Sequence, residues 1–180
     1  VWHFPKNLGS PINSFNHEKG ITVSADGSFG YYYGAGENSF GYMDIYSFQM
    51  DESFRPVPSS YIKGVILDNK KKPISSAEIK IIDLNHPTRV IYTKSHPIDG
   101  SFLVTLSQGS DYAFYINKDN YILKSQHYDF PKNEKFAPLK LSLTLEKIEK
   151  GKNVVFNNLF FDFDSDKLLD NSLIELKEMH

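Results

Sequence analysis

The chain has 180 residues, of which 40% are hydrophobic and 23% are charged, so its composition is that of a globular protein and not of a disordered tail. Its formal net charge is -2, so the sequence lacks the excess of positive charge that would indicate a nucleic-acid or anionic-lipid partner. The absence of cysteine excludes disulfides, cysteine-ligated zinc and thiol catalysis. No run of about 18 apolar residues is present, so we expect no transmembrane helix. The aromatic fraction of 14% favours strands, because aromatic side chains fit a pleated, half-buried surface.

The region 1–57 contains short apolar and aromatic runs that are separated by turn residues. We predict strands at 21–24, 29–33 and 41–50, with Asp26-Gly27 supplying the two positive-φ positions of a type I′ hairpin turn. Three such strands within roughly 45 residues are the size of one propeller blade. Because a propeller needs ~4–8 blades, we expect this blade to be the terminal one and its neighbours to lie outside this chain.

A polar, proline-punctuated linker is predicted at 51–60, and short alternating strands resume after it. The alternation is clear where Ile79 and Ile81 are interleaved with Glu78 and Lys80. About seven short strands at roughly 8–12-residue spacing predict a small antiparallel sandwich. Six of these strands are assigned, at 61–67, 77–84, 89–94, 101–106, 112–117 and 139–145.

The segment 149–180 begins with a buried-strand pattern at 154–161 and continues into a helix signal. Ser172, with Glu175 three residues later, forms a capping-box pattern that predicts the start of a helix. A helix of about eight residues is marginal by itself, because ~12–15 residues are usually needed. We therefore expect the segment to be the first strand and helix of an α/β domain whose remainder lies outside this chain. The initial Val1, in place of a Met, leads us to expect the other end to be cut as well.

Both ends of the sequence resemble parts of known bacterial envelope proteins. The runs PKNLGSPINS (5–14), ITVSADG (21–27) and DIY (44–46) resemble a TolB-type WD-like propeller repeat. At the other end, VVFNNLFFDFDS (154–165) resembles the first strand of an OmpA-like peptidoglycan-binding domain.

The middle of the chain, 61–146, resembles the carboxypeptidase-regulatory-like, transthyretin-like sandwich. In this order, the three resemblances cover nearly the whole chain and are similar to the multidomain OmpA-family envelope proteins of Bacteroidetes-type bacteria. The pieces that match the sandwich are YIKGVILD (61–68), PISSA (73–77), DGSF (99–102) and GSDY (109–112).

This resemblance implies a periplasmic, outer-membrane-associated protein that is tethered to the cell wall. Its propeller and sandwich would hold outer-membrane partners, or partners from type IX secretion and gliding machinery. The peptidoglycan contacts of the family lie in an Asp-bearing loop and an Arg-bearing helix well beyond the first strand. No wall-binding residue can therefore be carried over to this sequence, and peptidoglycan would be bound only through the missing remainder of the OmpA-like domain.

Asp162, Asp164 and Asp166 follow the spacing of the first ligands of a calcium loop. An EF-hand loop also needs Gly at its sixth position and Glu at its twelfth, but Lys167 and Leu173 stand there. We therefore predict that these carboxylates solvate the end of a strand and favour the start of the following helix.

Histidine and serine give no catalytic pattern. No two histidines have zinc-ligand spacing, so we predict solvated loop histidines and no metal site. The serines of Gly27-Ser28 and Gly100-Ser101 lie in predicted hairpin turns, and no G-x-S-x-G elbow exists. We therefore predict no catalytic residue and no cofactor. The histidines concerned are His3, His17, His86, His96, His127 and His180.

A dense aromatic set in the first region admits two interpretations. It forms the blade core with its blade-to-blade contacts, or a stacking platform for sugar or peptide. Alternation puts half of the set inward, and residues of outward parity near Gly34, Gly36 and Gly41 are the best candidates for partner contacts. Lys70-Lys71-Lys72 is predicted to be a solvated charged turn rather than a phosphate site. The aromatic set comprises Phe29, Tyr31, Tyr32, Tyr33, Phe40, Tyr42, Tyr46 and Phe48.

The sequence thus predicts a mainly β, non-enzymatic envelope scaffold in three parts. Residues 1–57 would be a terminal propeller blade with its linker, 58–148 a carboxypeptidase-regulatory-like sandwich, and 149–180 the truncated start of an OmpA-like domain. The residues that contact its partner are unknown at this stage. One alternative is an accessory glycan-binding module, in which aromatic side chains of the sandwich stack on sugar rings. Another is an enzyme whose catalytic domain lies outside this chain.

Overall fold

The computed structural model describes residues 4–10, 12–15, 17–35, 39–130, 138–151, 153, 157–169 and 172–177. The chain divides into two compact units, Val1–Ser59 and Ser60–His180. In the described residues the fold is mainly β, with three sheets and little helix. No helix in these ranges is both long enough and apolar enough to cross a membrane.

The N-terminal unit contains a three-stranded antiparallel sheet of order β1-β2-β3. The strands are β1 (Glu18–Val23), β2 (Phe29–Gly34) and β3 (Asp44–Gln49), and a short 3-10 helix, Glu52–Phe54, follows β3. The three strands predicted for this region are therefore confirmed. In the register, Tyr32 lies opposite Tyr46 and Gly30 lies opposite Phe48. The side chains of Tyr32, Tyr46 and Phe48 therefore share one face of the sheet.

The loop that joins β1 to β2 is not the type I′ turn that the sequence predicts. Such a turn needs a positive φ at both central residues, but of Asp26 and Gly27 only the glycine has one, at 75°. The Asp26 carboxylate instead accepts hydrogen bonds from the Ser24 hydroxyl at 2.5 Å and from the Ser28 backbone N at 3.1 Å. These side-chain bonds stabilise a wider loop, which is closed by the bond from Ser24 N to Phe29 O at 2.8 Å.

The described residues of the C-terminal unit form seven strands in two sheets. One sheet has the order β10-β4-β7, and the other has the order β6-β5-β8-β9. The strands are β4 (Ser59–Asp68), β5 (Glu78–Asp83), β6 (Val90–Lys94), β7 (Ser101–Ser107), β8 (Ser110–Asn117), β9 (Lys124–Phe130) and β10 (Leu139–Leu145).

The core of this unit lies between the inward faces of its two sheets, as in a sandwich. Along β7, Phe102, Val104 and Leu106 are buried and Leu103 and Thr105 are exposed, which is the two-residue period of a half-buried strand. The principal core cluster consists of Ile62, Ile66, Ile74, Ala77, Ile79, Ile81, Phe102, Val104, Leu106, Tyr112, Phe114, Ile116, Leu143 and Leu145. A second cluster comprises the buried residues Ile82, Leu84, Ala113 and Tyr115, with Val90, Leu123 and Phe160 packed against them.

Two features of the sandwich differ from the prediction. β10 pairs with β4 in parallel, whereas the sequence predicted an antiparallel sandwich. The alternation of leucine with polar residues in β10 fixes which side chains face the core, but it is unchanged when the strand is reversed. β9 was not predicted, because its mostly polar sequence KSQHYDF lacks alternation; its antiparallel pairing with β8 makes it a strand.

In the described part of the C-terminal segment, residues Ser172–Lys177 form helix α1. The helix starts where the sequence predicts, but the capping-box prediction is wrong. The Ser172 hydroxyl donates to Phe160 O at 2.8 Å and accepts from Phe160 N at 2.7 Å. Both bonds are made to a residue outside the helix, and neither caps a backbone N of its first turn. Of the strand predicted at 154–161, residues 154–156 lie outside the described residues. The described remainder contributes only the single bridge from Phe161 to Leu168.

Candidate functional site

An open groove of about 730 Å³ lies beside the outward side of β4 and β7 in the sandwich. Tyr61 and Lys63 of β4 and Leu103 of β7 lie along it, and the loop between β6 and β7 forms its wall. The complete lining is Tyr61, Lys63, Ser76, Lys94, Ser95, His96, Pro97, Ser101, Phe102 and Leu103.

The loop that forms the wall is held by its own hydrogen bonds. His96 N donates to Ser101 O at 2.7 Å, and the His96 ring lies 3.1 Å from the Asp99 carboxylate. Hydrogen bonds from Ser101, with the nearby His96, hold the pKa of Asp99 below its usual range. Gly100 has φ +66°, and a Cβ there would lie 2.7 Å from Ile66 O, so only glycine fits. The wall of the groove is therefore preorganised.

The outward face of the β10-β4-β7 sheet is positively charged. Lys63 and Lys140 occupy paired positions on neighbouring strands, and both are exposed. None of the outward positions of these three strands carries Asp or Glu. Lys94, which also lines the groove, is paired with Glu78 at 2.9 Å. Among the described residues, the excess positive charge therefore comes from the two side-by-side lysines.

The sheet of the N-terminal unit has two different faces. On one face the Tyr32 ring stacks on Tyr46 at 5.4 Å and lies 6.0 Å from Phe48, which is buried. A Cβ at Gly30 would lie 2.2 Å from the Phe48 ring, so a glycine is needed opposite it. This is the face that alternation assigns to the interior.

The opposite face of the same sheet is apolar but exposed. It carries Phe29, Tyr31 and Tyr33 from β2 and Ile45 from β3; Ile45 is 80% exposed and lies directly opposite Tyr33. The aromatic set is thus divided between the faces, as the alternation predicts. Phe40 and Tyr42, on either side of Gly41, are also exposed; Gly36 lies outside the described residues.

The C-terminal segment is joined to β9 by a buried polar cluster. The Asn158 side-chain amide donates to the Ser125 hydroxyl at 2.5 Å and to the Glu175 carboxylate at 2.8 Å. Asn157 donates from its backbone N to Glu175 and from its side chain to Ser125 O, at 3.3 Å and 2.6 Å. Asn158 is fully buried and Glu175 is 1% exposed. We call these four residues the polar clasp.

His127 lies beside the polar clasp on β9 and is not a solvated loop residue, which corrects the sequence prediction for this histidine. Its ring packs edge-on against Phe160 at 5.2 Å, and its Nδ1 is buried without a hydrogen-bond partner among the described residues. The prediction failed because β9 itself was not predicted. His17, His86 and His96 are exposed, while His3 and His180 lie outside the described residues.

Asp162, Asp164 and Asp166 are exposed in the loop between Phe161 and Leu168. In the described ranges, no three His, Asp or Glu side chains are grouped closely enough to hold a metal ion.

The predicted turn residues are accounted for by local structure. The Ser28 hydroxyl donates to Asp26 at 2.7 Å, and Ser101 begins β7. Lys70 and Lys72 lie in an exposed turn and donate from their backbone N to Asp68, each at 2.8 Å.

A pair of carboxylates was missed by the sequence analysis. Asp111 of β8 lies opposite Asp129 of β9 in the register. Partial burial is the main cause that raises the pKa of Asp111, and the hydrogen bond with Asp129 and repulsion from its charge add to it. No signal in the sequence could have paired them, because the strand that holds Asp129 was not recognised.

Comparison with known proteins gives no family. No family model matches the sequence, and no curated protein matches it. Solved structures with similar backbones include the mercury-inhibited catechol 1,2-dioxygenase of Acinetobacter sp. ADP1, at 14% identity and a TM-score of 0.41, with 58% of each chain covered. The hydroxyquinol 1,2-dioxygenase of Pseudomonas putida DLL-E4 is 10% identical, with a TM-score of 0.41 over 53% of this chain and 58% of that one.

A minor pilin of Streptococcus agalactiae is also similar, at 12% identity and a TM-score of 0.41, with 71% of this chain and 63% of that chain covered. The chain therefore spans less than two thirds of the length of each of these three proteins. At these TM-scores the likenesses carry no argument about activity, ligand or partner.

Proposed function

We propose that this chain is part of a non-enzymatic scaffold of the bacterial cell envelope, periplasmic and associated with the outer membrane. Its β units would hold partner proteins at a fixed place, and a longer protein that contains the rest of an OmpA-like domain would attach them to peptidoglycan. The partners that we propose are outer-membrane proteins, including those of type IX secretion and gliding machinery.

The observation that carries this proposal is the exposed apolar face of the N-terminal sheet. Phe29, Tyr31, Tyr33 and Ile45 are neighbours on two paired strands, and each is exposed by more than two fifths. Contiguous exposed apolar surface marks interaction sites in soluble proteins. Tyrosine and phenylalanine are also enriched in protein interfaces, because they bury a large area with few rotatable bonds.

The second support is the order of the sequence resemblances. A propeller-like repeat, a transthyretin-like sandwich and the start of an OmpA-like domain follow one another in multidomain envelope proteins of Bacteroidetes-type bacteria. A binding role also agrees with the groups described above, since the carboxylates of Asp26, Asp99 and Glu175 are engaged in hydrogen bonds within the chain.

The proposal is tested by the retention of outer-membrane proteins on the immobilised chain. Solubilised envelope protein from a Bacteroidetes-type bacterium is passed over the chain, and retained proteins are identified by mass spectrometry. We expect a defined outer-membrane protein to be retained, and to be lost with the double variant Tyr31→Ser/Ile45→Ser. The matched control is Ile98→Ser/Ile148→Ser, which removes two exposed apolar side chains from the other unit. Equal retention by both double variants, or none by the native chain, would contradict the proposal.

The non-enzymatic part has its own test. The purified chain is expected to leave peptide and ester substrates unhydrolysed. Hydrolysis that is abolished by one point substitution in the chain would show that the proposal is wrong.

A further inference from the structure

We propose that the outward face of the β10-β4-β7 sheet, with the groove beside it, binds an acidic glycan, a sugar chain that carries carboxylate groups. This site is separate from the apolar face of the N-terminal sheet, so it goes beyond the scaffold function and stands or fails independently.

Two lysines lie side by side on this face of the sheet. Lys63 and Lys140 are paired across neighbouring strands, which lie about 4.8 Å apart in a sheet. Like charges directly opposite one another destabilise a sheet, and among the described residues no carboxylate on this face compensates them. A negatively charged ligand would supply the missing countercharge.

The surface around the lysines combines apolar side chains with hydroxyl groups. Tyr61 is 45% exposed and Leu103 is 63% exposed, so both present apolar surface at the groove. Exposed hydroxyls of Thr105, Ser142 and Thr144 lie on the same face of the sheet. An apolar surface surrounded by hydrogen-bonding groups suits a sugar ring, which has apolar faces and a polar rim.

The shape of the groove suits a chain-like occupant. The groove is open and has a volume of about 730 Å³, and its wall is fixed by the hydrogen bonds around His96 and Ser101. A rigid, open groove suits a chain that passes across it. Nucleic acid is disfavoured because the chain has a net charge of -2 and, among the described residues, only two lysines stand on the outward positions of this face, which is few for a phosphate backbone.

The test uses isothermal titration calorimetry of the full chain at low ionic strength with three probes. Polygalacturonate carries one carboxylate on each sugar, dextran is a neutral glycan, and poly-L-glutamate is a carboxylate polymer without sugar. We expect binding of polygalacturonate that weakens with added salt, no binding of dextran and much weaker binding of poly-L-glutamate. Binding of poly-L-glutamate as tight as that of polygalacturonate would overturn the proposal, as would no binding of polygalacturonate.

The site is located with two double variants of equal charge. Lys63→Gln/Lys140→Gln is expected to lower the affinity for polygalacturonate about tenfold, since each exposed ion pair contributes modestly. The control Lys70→Gln/Lys71→Gln removes the same charge from the exposed turn and is expected to retain the native affinity. The melting temperature of the first variant should equal or exceed the native value, because its two like charges are gone. Equal affinities of the two variants would place the ligand elsewhere and refute the proposed site.

Discussion

The carboxylate of Glu175 and the side-chain amide of Asn158 are 2.8 Å apart, and both side chains are buried. The other carboxylate oxygen accepts from the backbone N of Asn157 at 3.3 Å. Through the bond from Asn158 to Ser125, this contact ties helix α1 to strand β9. Buried hydrogen bonds hold their donors and acceptors in fixed positions, so the polar clasp specifies one position of the C-terminal segment on the sandwich, although Asn158 Oδ1 has no partner among the described residues.

The first prediction concerns Glu175. In the Glu175→Gln variant, one carboxylate oxygen becomes an NH₂ group that faces a donor from Asn157 or Asn158. We expect a loss of about 2 kcal/mol in the free energy that holds the segment in place, since a buried donor remains unpaired. Hydrogen exchange followed by mass spectrometry should show faster exchange in residues 157–177.

The control for this prediction is Glu52→Gln, which makes the same chemical change at a side chain that is 88% exposed. It should leave exchange throughout the chain unchanged. Native-like exchange of residues 157–177 in Glu175→Gln would mean that the polar clasp does not fix the segment.

Much of the fold could be predicted from the sequence, because hydrophobic alternation reports directly on burial. The leucines of β10 and the residues Phe102, Val104 and Leu106 of β7 lie on the face that their pattern predicts, whereas Leu103 lies on the outward face. The direction of β10 could not be predicted, since alternation contains no information about strand orientation. The β1–β2 loop was mispredicted because hydrogen bonds of Asp26 outweighed the preference of an Asp-Gly pair for a two-residue turn.

The candidate sites were less accessible to sequence reasoning, because they depend on which strands pair. Lys63 and Lys140 are 77 positions apart, and only the parallel register of β4 and β10 brings them side by side. Ser172 and Glu175 match a local capping motif, yet the described structure uses both in contacts with residues 157–160. A short motif favours a local interaction, but a buried partner elsewhere in the chain can use the same polar atoms.

The second prediction tests the two faces of the N-terminal sheet. Phe48→Ala removes a buried ring that packs against Tyr32, and we expect it to cost about 3 kcal/mol of unfolding free energy. Ile45→Ala, on the opposite and exposed face of the sheet, should change that free energy by no more than about 0.5 kcal/mol. Urea denaturation followed by tyrosine fluorescence measures both. Similar losses for the two variants would indicate that the outward face is also covered.

The third prediction concerns the pH dependence of stability. Asp111 has a raised pKa in the folded chain, so its contribution to stability is complete at low pH and declines as pH rises through the folded pKa. Asp129→Asn removes the facing negative charge. Near pH 7 we expect a gain of about 0.5 kcal/mol, kept small because Asp129 is exposed and solvent screens the repulsion. Well below pH 3.8 the raised pKa of Asp111 leaves its carboxyl uncharged, so the repulsion and the gain should both vanish.

Thermal melts across this pH range provide the measurement, and Asp119→Asn is the matched control, since it neutralises an exposed aspartate outside the described strands. The control should show no pH-dependent gain. A gain of Asp129→Asn that is equal at low and neutral pH would have a cause other than charge repulsion.

The fourth prediction concerns the Asp26 loop. Hydrogen bonds from Ser24, and then from Ser28, lower the pKa of Asp26 from 3.8 to about 2. A lowered folded pKa stabilises the loop above the unfolded pKa, and this stabilisation is lost as pH falls through about 2. In the Ser24→Ala variant, the pKa of Asp26 should move back toward 3.8, because the first of these hydrogen bonds is removed.

The pKa of Asp26 is measured from the chemical shift of its side-chain carboxyl carbon in a ¹³C NMR titration. The control is Ser47→Ala, which removes a hydroxyl at an exposed position of β3. Titration of Asp26 near 3.8 in the native chain, or no change in Ser24→Ala, would refute this account of the loop.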